Sequence, residues 1–173
     1  MKQALAPALL AALVLTGCAT TTVARDDAAI DAARALALVQ NATRSSLAEA
    51  AQLLAGKAVA APTAPSIASA GRALYAALYP ELATPFPDGP AVTIDERTSP
   101  FLARILPIVA ALHPVSSVDA TMAARMRDDI ETVAYLAPDS VLPPYLEATL
   151  VLGAGGAAAE ARGLFEEALR RSP

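Results

Sequence analysis

Fourteen prolines divide this chain of 173 residues into short segments that are rich in alanine, leucine, arginine and glutamate. Those four residue types favour helices, because their side chains lose little rotamer freedom on a helix. Proline inside a helix removes a hydrogen bond and clashes with the preceding turn, so most of the prolines should lie between helices. The sequence therefore predicts an all-α fold built from antiparallel helical hairpins.

The composition also predicts how these helices pack, and the net charge argues against one class of partner. Apolar residues make up 55% of the chain, yet aromatic residues are only 4% and tryptophan is absent. We expect the helices to pack closely through alanine, with few large side chains in the core. The net charge is −4, which gives nucleic-acid binding no electrostatic support.

The first residues are typical of an export signal. Lys2 supplies a positive charge, and residues 4–14 carry no charge and are almost wholly apolar. That run is too short to cross a bilayer core of about 30 Å as a helix. It fits the apolar centre of a secretory signal instead, so we predict a signal peptide over residues 1–17.

The four residues Leu15, Thr16, Gly17 and Cys18 resemble the lipobox of bacterial lipoproteins, in which a leucine and two small residues precede an obligatory cysteine. The resemblance implies cleavage before Cys18 and a covalent lipid on its thiol, with no other cofactor. Residues 18–25 would then be a lipidated tether. Several acyl chains anchor a protein stably where one binds only marginally. Alternatives are a buried core cysteine or an ordinary signal with a chance cysteine.

The resemblance also implies a location. Lipoproteins that stay in the inner membrane commonly carry aspartate after the cysteine, whereas this chain has Ala19. We therefore expect an outer-membrane anchor facing the periplasm. Cys18 is the only cysteine, so no internal disulfide is possible.

Apolar periodicity predicts a helical domain over residues 26–173. The predicted helices are 26–41, 46 to about 61, 66–79, 100–113, 117 to about 136, 143–152 and 157–171. In the first helix we expect the core face to hold Ile30, Ala33, Leu36 and Ala37. Ser46 and Glu49 have the spacing of a capping box. Ser99 followed by Pro100 is a typical helix start.

The fifth helix should be capped by Ser116 and Ser117. Its core face should carry Met122, Met126, Ile130 and Val133, which follow one another at spacings of four, four and three.

Residues 80–99 interrupt this helical pattern. Five prolines lie between Pro80 and Pro100 inclusive, and Pro87, Asp88, Gly89 and Pro90 form a turn signal. Val92 and Ile94 alternate with polar neighbours, so a very short strand is one interpretation. Connections of this length are often functional or flexible.

The last two predicted helices carry a repeat pattern. Ala161, Phe165, Ala168 and Pro173 have the spacing of the second helix of a tetratricopeptide repeat, and Tyr145, Ala148, Thr149 and Leu152 match its first helix more loosely. The match is clearest over residues 142–173 and fades elsewhere. Small residues at these positions let two helices approach closely. The resemblance implies a tetratricopeptide-like α-solenoid or the N-terminal portion of one, against the alternative of an unrelated helical hairpin.

Candidate chemistry in this sequence is thin. His113 is the only histidine, and at a helix end a cation simply complements the dipole. Two of the other groups have a structural interpretation: a solvated face for Asp128, Asp129 and Glu131, and a turn for Gly153, Gly155 and Gly156. Two groups have alternatives. One is a loop segment or a partner contact, at Asp95, Glu96 and Arg97, and the other is an edge of the core or a ligand platform, at Tyr75 and Tyr79. We predict no catalytic residue, no metal site and no enzyme.

Two function classes follow. The first is a membrane-anchored, non-catalytic scaffold or adaptor of the cell envelope that binds an envelope protein through its helices. The alternative is a periplasmic small-ligand-binding or transporter-accessory lipoprotein with a pocket under loop 80–99.

Overall fold

Every regular element in the residues that the computed structural model describes, 27–113 and 118–172, is a helix. The prediction of an all-α fold is confirmed, and most predicted bounds lie within a few residues of the observed ones. The elements are α1 (27–41), α2 (Arg44–Ala55), a 3₁₀-helix (Lys57–Ala60), α3 (Ala64–Leu78), α4 (Pro100–Leu112), α5 (Ala120–Leu136), α6 (Leu142–Gly153) and α7 (Ala158–Arg171).

The helix starts follow their capping residues. Ser99 caps α4 as the sequence suggests, because its side chain accepts the amide of Leu102. The predicted capping box at Ser46 and Glu49 is wrong: α2 begins two residues earlier, and the hydroxyl of Thr43 accepts the Ser46 amide at 3.1 Å. Thr43 therefore caps the helix three residues before Ser46, and Ser46 is buried inside the first turn.

The cap of α5 also differs from the expectation. The carboxylate of Asp119 accepts the amides of Thr121 and Met122, both at 2.9 Å. The predicted caps Ser116 and Ser117 lie outside the described residues. A carboxylate at this position also complements the positive end of the helix dipole.

The predicted core face of α1 is wrong, and that of α5 is right for Met126, Ile130 and Val133 but wrong for Met122. Ile30 is 66% exposed, and Ala33 and Ala37 also face solvent with Leu36 only half-buried. The buried face of α1 is instead built from smaller residues at helical spacing, namely Ala28, Ala32, Ala35 and Val39. In α5, Met122 is 47% exposed while Met126 is buried. Because alanine occurs on every side of α1, apolar periodicity alone did not identify the buried face.

The end of α1 joins the starts of two later helices. The side-chain amide of Gln40 donates to the Ser99 hydroxyl at 3.0 Å, and the Gln40 carbonyl accepts from the Ser140 hydroxyl at 2.6 Å. Both serines are almost fully buried, so these bonds satisfy polar groups that would otherwise destabilise the interior. Around this junction one core of mainly aliphatic side chains runs through α1 to α6.

The C-terminal helices α6 and α7 pack against each other as a hairpin. Its turn contains Gly155 at a φ of +74°, a conformation that favours glycine. At the other end, the Arg171 guanidinium donates to the carbonyls of Pro138 and Ser140 at 2.7 and 3.2 Å. Helical hairpins are thus observed, whereas a solenoid of the tetratricopeptide kind stays a prediction.

Candidate functional site

A groove of about 860 Å³ lies between α3, α4 and residues 79–99, which we call the strap. Its lining residues are Ser69, Ala70, Ala73, Ala76, Ala77 and Leu78 of α3, Pro80 and Val92 of the strap, Leu106, Val109 and Ala110 of α4, His113 and Tyr145. Within this lining no side chain carries a fixed charge. The groove therefore presents an apolar surface with few polar groups.

One wall of the groove is a row of alanines on α3. Ala70, Ala73 and Ala77 repeat every three or four residues, so they lie on one face of the helix. Ala73 is exposed, whereas Ala70 is buried against the core. A methyl group is all that each residue extends toward the groove, so the helix backbone is close to the groove surface.

The opposite wall comes from the second half of α4. Leu106, Val109, Ala110 and His113 stand at positions i, i+3, i+4 and i+7 of one helical face. Val109 also packs in the core, whereas Ala110 is exposed. Both walls are therefore rows of uncharged side chains held on helices.

One arginine of α3 bonds directly to the strap. The Arg72 guanidinium donates to the backbone carbonyls of Pro87, Gly89 and Pro90 at 2.6, 3.2 and 2.9 Å. Such charge-assisted bonds are stronger than neutral ones. Because Arg72 lies on the same helix as the alanine wall, it sets where the strap crosses α3.

Two further contacts attach the strap on either side of Arg72. The ring of buried Phe86 fills the space beside Gly71, and the Ser69 hydroxyl accepts the amide of Val92 at 2.9 Å. Ile94 is buried in the core. The short strand considered for Val92 and Ile94 is wrong, since no strand occurs in residues 27–113 or 118–172, and the Val92 amide bonds to a side chain instead.

His113 closes one end of the groove with an uncharged ring. Its Nδ1 lies 3.0 Å from the carbonyl of Leu112, which can only accept, so Nδ1 carries the proton. Nε2 is then an acceptor, and it is buried without a hydrogen-bond partner among the described residues. Burial lowers the pKa of His113 because it disfavours the imidazolium. Burial therefore favours the neutral ring over the cation that was expected at this helix end.

An aromatic row connects the groove with the C-terminal hairpin. The His113 ring lies 6.0 Å from that of Tyr145, measured between centroids, and Tyr145 meets Phe165 edge to face at 5.7 Å. Burial raises the pKa of the Tyr145 phenol. Tyr145 thus belongs both to the predicted repeat and to the groove.

The remaining residues of the predicted repeat lie mostly at the α6–α7 interface. Ala148 and Ala161 share a small apolar cluster that Phe165 covers, and Thr149 and Ala168 are also buried. The Thr149 hydroxyl donates to the Tyr145 carbonyl at 2.9 Å. Leu152, however, is 46% exposed, and Pro173 lies outside the described residues.

The tyrosine pair near the strap is part of the core edge. The rings of Tyr75 and Tyr79 lie 5.2 Å apart, Tyr75 is buried, and Tyr79 is half-buried. Burial raises the pKa of Tyr79. Neither tyrosine lines the groove, so the geometry does not favour the ligand-platform interpretation.

Three of the acidic candidates, Asp95, Glu96 and Asp129, have side-chain partners. Asp95 accepts the Thr98 amide at 2.7 Å, and hydrogen bonds from Thr98 lower the pKa of the Asp95 carboxyl. Arg104 lies within ion-pair distance of Glu96 at 3.6 Å and of Asp129 at 3.9 Å. Arg97, Asp128 and Glu131 are exposed. No metal-binding group of histidine, cysteine, aspartate and glutamate side chains forms in the described part of the chain.

Sequence reasoning missed the three α3 residues that hold the strap, Ser69, Gly71 and Arg72. One local signal existed, since an isolated glycine within a helical pattern often marks a close approach. The bonds of Arg72 to residues at least fifteen positions away have no such local signal.

The predicted lipobox residues Leu15 to Cys18 and the tether lie outside the described residues. In the described ranges, no helix has the length and apolar character that crossing a bilayer requires. No protein-family model, curated protein or solved structure matches this chain significantly.

Proposed function

We propose that this chain is a cell-envelope lipoprotein, anchored by lipid on Cys18, that acts as a non-catalytic protein-binding scaffold. The groove between α3, α4 and the strap is its binding surface. The α6–α7 hairpin, which resembles a tetratricopeptide repeat, supports that surface through Tyr145.

The anchor rests on the sequence from Leu15 to Cys18 and on the apolar run before it. A lipidated cysteine followed by a short polar segment would hold a helical domain close to the membrane surface. Ala19 favours the outer membrane, with the domain in the periplasm.

The binding role rests on one observation, an apolar groove whose walls are fixed. Arg72, Phe86 and Ser69 hold the strap against α3, so the groove does not need to be ordered by its occupant. A pre-formed surface binds more tightly, because less conformational entropy is lost on association.

The titratable groups of the groove support binding over catalysis. Catalytic sites bring together several acid, base or nucleophilic groups within hydrogen-bond reach. Here the lining contains only His113 and Tyr145 as titratable side chains. No carboxylate accompanies His113 among the lining residues.

The second candidate function is the binding of a small apolar ligand in the same groove. Its volume of about 860 Å³ lies in the range of about 300–1,000 Å³ that ligand pockets occupy. The groove lies beside the strap, where such a pocket was expected. A metabolite retained through purification would favour this candidate.

Co-purification from solubilised envelopes distinguishes the two candidates. We expect the tagged full chain to retain a defined envelope protein, and Ala73→Glu to lose it, because that substitution places a carboxylate on an exposed position of the groove wall. Ala124→Glu, on an exposed position of α5, is the matched control. A stoichiometric metabolite in native mass spectrometry, with no protein partner, would contradict the scaffold.

A further inference from the structure

Two large aliphatic side chains of the first described elements face solvent. Ile30 of α1 is 66% exposed, and Val59 of the 3₁₀-helix is 65% exposed. Single exposed apolar side chains are common on protein surfaces and need no special role. What distinguishes these two is a shared location, which follows from the geometry of α1 and α2.

The helices α1 and α2 form an antiparallel hairpin. A joint of two residues, 42 and 43, connects them, and an ion pair joins Arg34 to Glu49 at similar distances from that joint. Both helices rise about 1.5 Å per residue, so the first turn of α1 is level with the end of α2 and the 3₁₀-helix that follows it. Ile30 and Val59 therefore lie at the same end of the hairpin, and we call residues 27–30 and 55–65 the tether end.

The second segment of the tether end is almost free of charge. Lys57 is the only charged residue between Glu49 and Arg72 in the sequence. Its positive charge is of the sign that anionic lipids attract. The residues that the structure shows as exposed in this segment are Ala55, Gly56, Val59, Ala60, Pro62 and Pro65. This segment therefore offers an apolar surface that contains no carboxylate.

The charges of α1 lie to one side of Ile30. Successive residues of an α-helix are rotated by about 100°, which places Asp27, Asp31 and Arg34 within about 100° of Ile30 in one direction. Exposed Ala33 lies about 60° away in the other direction. The charged groups can therefore stay in water while Ile30 and Ala33 enter an apolar phase, as in helices that lie in a membrane interface.

The proposed lipid on Cys18 defines what this end of the domain meets. Eight residues, 19–26, separate Cys18 from the first residue of α1. A fully extended chain advances at most about 3.6 Å per residue, so the start of α1 lies within about 30 Å of the acylated residue. We propose, on the basis of the proposed anchor, that the tether end docks on the bilayer that holds the lipid, with Ile30 and Val59 entering its interface.

The small size of the tether end favours a bilayer over a protein partner. A stable protein interface typically involves roughly 20–30 residues on each side. The tether end has far fewer exposed residues. Contact with the bilayer beside the anchor is an intramolecular step, for which a short linker supplies an effective concentration on the order of millimolar. A small apolar contact is then sufficient, and the penetration of about 5–10 Å that is typical of interfacial helices would cover both aliphatic side chains.

Lipid quenching of a fluorophore on the full-length chain tests this inference. The protein is purified from membranes, reconstituted in phosphatidylethanolamine–phosphatidylglycerol vesicles and labelled at Ala60→Cys or, as a control, at Tyr135→Cys. Tyr135 is exposed and shortly precedes Ser140, whose hydroxyl bonds to the last turn of α1, at the opposite end of the hairpin. Cys18 is the only native cysteine and the lipid occupies its thiol, so each protein has one labelling site. We expect spin-labelled lipid to quench the label at position 60 and not at position 135.

Substitutions at the tether end should release the label at position 60 from the lipid. Val59→Glu should lower the ratio of docked to undocked protein at least about tenfold, because burial of an aliphatic side chain contributes about that factor or more. Ile30→Glu should act in the same direction. Tyr135→Glu, which alters a side chain that is 89% exposed, should leave the quenching at position 60 unchanged. All three substituted residues are exposed, so circular dichroism should show an unchanged helical fold.

The intact mass of the same protein separates this inference from the anchor. Equal quenching at positions 60 and 135, in a chain whose Cys18 carries lipid, would refute the docking and leave the anchor standing. A label at position 60 that leaves water without being quenched by lipid would indicate a protein contact and would also refute the docking. Quenching that survives both Val59→Glu and Ile30→Glu would refute the assigned contact. An unmodified Cys18 would refute the anchor and the docking together.

Discussion

The ring of Phe86 occupies the space that a side chain at Gly71 would need. A Cβ atom built on Gly71 would overlap Cζ and Cε1 of that ring, and even the farther Cε2 would be only 2.9 Å away. Phe86 belongs to the strap and Gly71 to the middle of α3, so this contact fixes the strap on the helix beside the groove wall.

We predict that Gly71→Ala destabilises the protein. Alanine normally stabilises a helix interior by about 0.5–1 kcal/mol over glycine. Here the new methyl group must displace Phe86, and overpacking of this kind costs about 1–3 kcal/mol. Unfolding in urea should therefore show a lower free energy of unfolding for the variant.

Gly163→Ala provides the control for that measurement. Gly163 lies within α7, and a Cβ atom there would meet no atom within 4 Å. This variant should gain about 0.5–1 kcal/mol in the free energy of unfolding. If both glycine variants stabilise the protein equally, the proposed contact between Phe86 and Gly71 does not exist in solution.

Replacing Arg72 should loosen the strap without unfolding the domain. Arg72→Met keeps the aliphatic stem and removes the bonds to three carbonyls. We expect faster cleavage at Glu81 or Glu96, both exposed in the strap, by a glutamate-specific protease. Arg125→Met, which alters an exposed arginine of α5, should not change that rate. Equal cleavage rates in all three proteins would show that Arg72 does not hold the strap.

Local sequence signals predicted the helices better than their buried faces. Ser99 followed by Pro100 located the start of α4, because capping and proline chemistry depend only on neighbouring residues. On α1, alanine is compatible with core and solvent alike, so the larger Ile30 was assigned to the core although it is exposed. The buried face of α1 depends on how that helix packs against the others, and residue spacing does not specify that packing.

The groove could be predicted only in outline. A pocket near residues 80–99 was expected from the length of that connection. Its alanine wall and the bonds of Arg72 depend on how α3 and the strap lie against each other, and no local pattern specifies that arrangement. The resemblance of Leu15 to Cys18 to a lipobox, in contrast, depends on adjacent residues alone and stays a prediction.

Acidification should destabilise the protein through His113. Burial lowers the pKa of its imidazole in the folded state below the ordinary value of about 6.5. The stability that comes from the neutral ring is therefore complete above about pH 6.5 and is lost as the pH falls through that value toward the lower folded-state pKa. We expect the free energy of unfolding to fall as the pH drops below about 6.5, and to fall less in His113→Gln.

The same residue tests whether the groove has a catalytic role. His113 lines the groove, so its replacement can weaken binding without any catalytic role. An identical pH dependence in the wild type and in His113→Gln would contradict the burial of a neutral histidine. Turnover of a substrate that is lost in His113→Gln while partner co-purification persists would contradict the non-catalytic proposal.

Ala168→Glu should weaken the α6–α7 hairpin. Ala168 is only 7% exposed, so a larger, charged side chain there would be partly stripped of its hydration, at a cost of about 1–3 kcal/mol. Thermal unfolding followed by circular dichroism should show a lower melting temperature. Ala159→Glu, near the exposed start of α7, should be neutral or slightly stabilising. An unchanged melting temperature for Ala168→Glu would argue against close packing at this interface.

The most direct test of the proposed anchor is the intact mass of the protein purified from membranes. We predict a chain that begins at Cys18 and carries a diacylglyceryl group on its thiol, together with a Cys18→Ser variant that stays uncleaved and takes up no acyl label. An unmodified thiol at Cys18 in the membrane-purified protein, or continued acyl labelling of Cys18→Ser, would contradict the account.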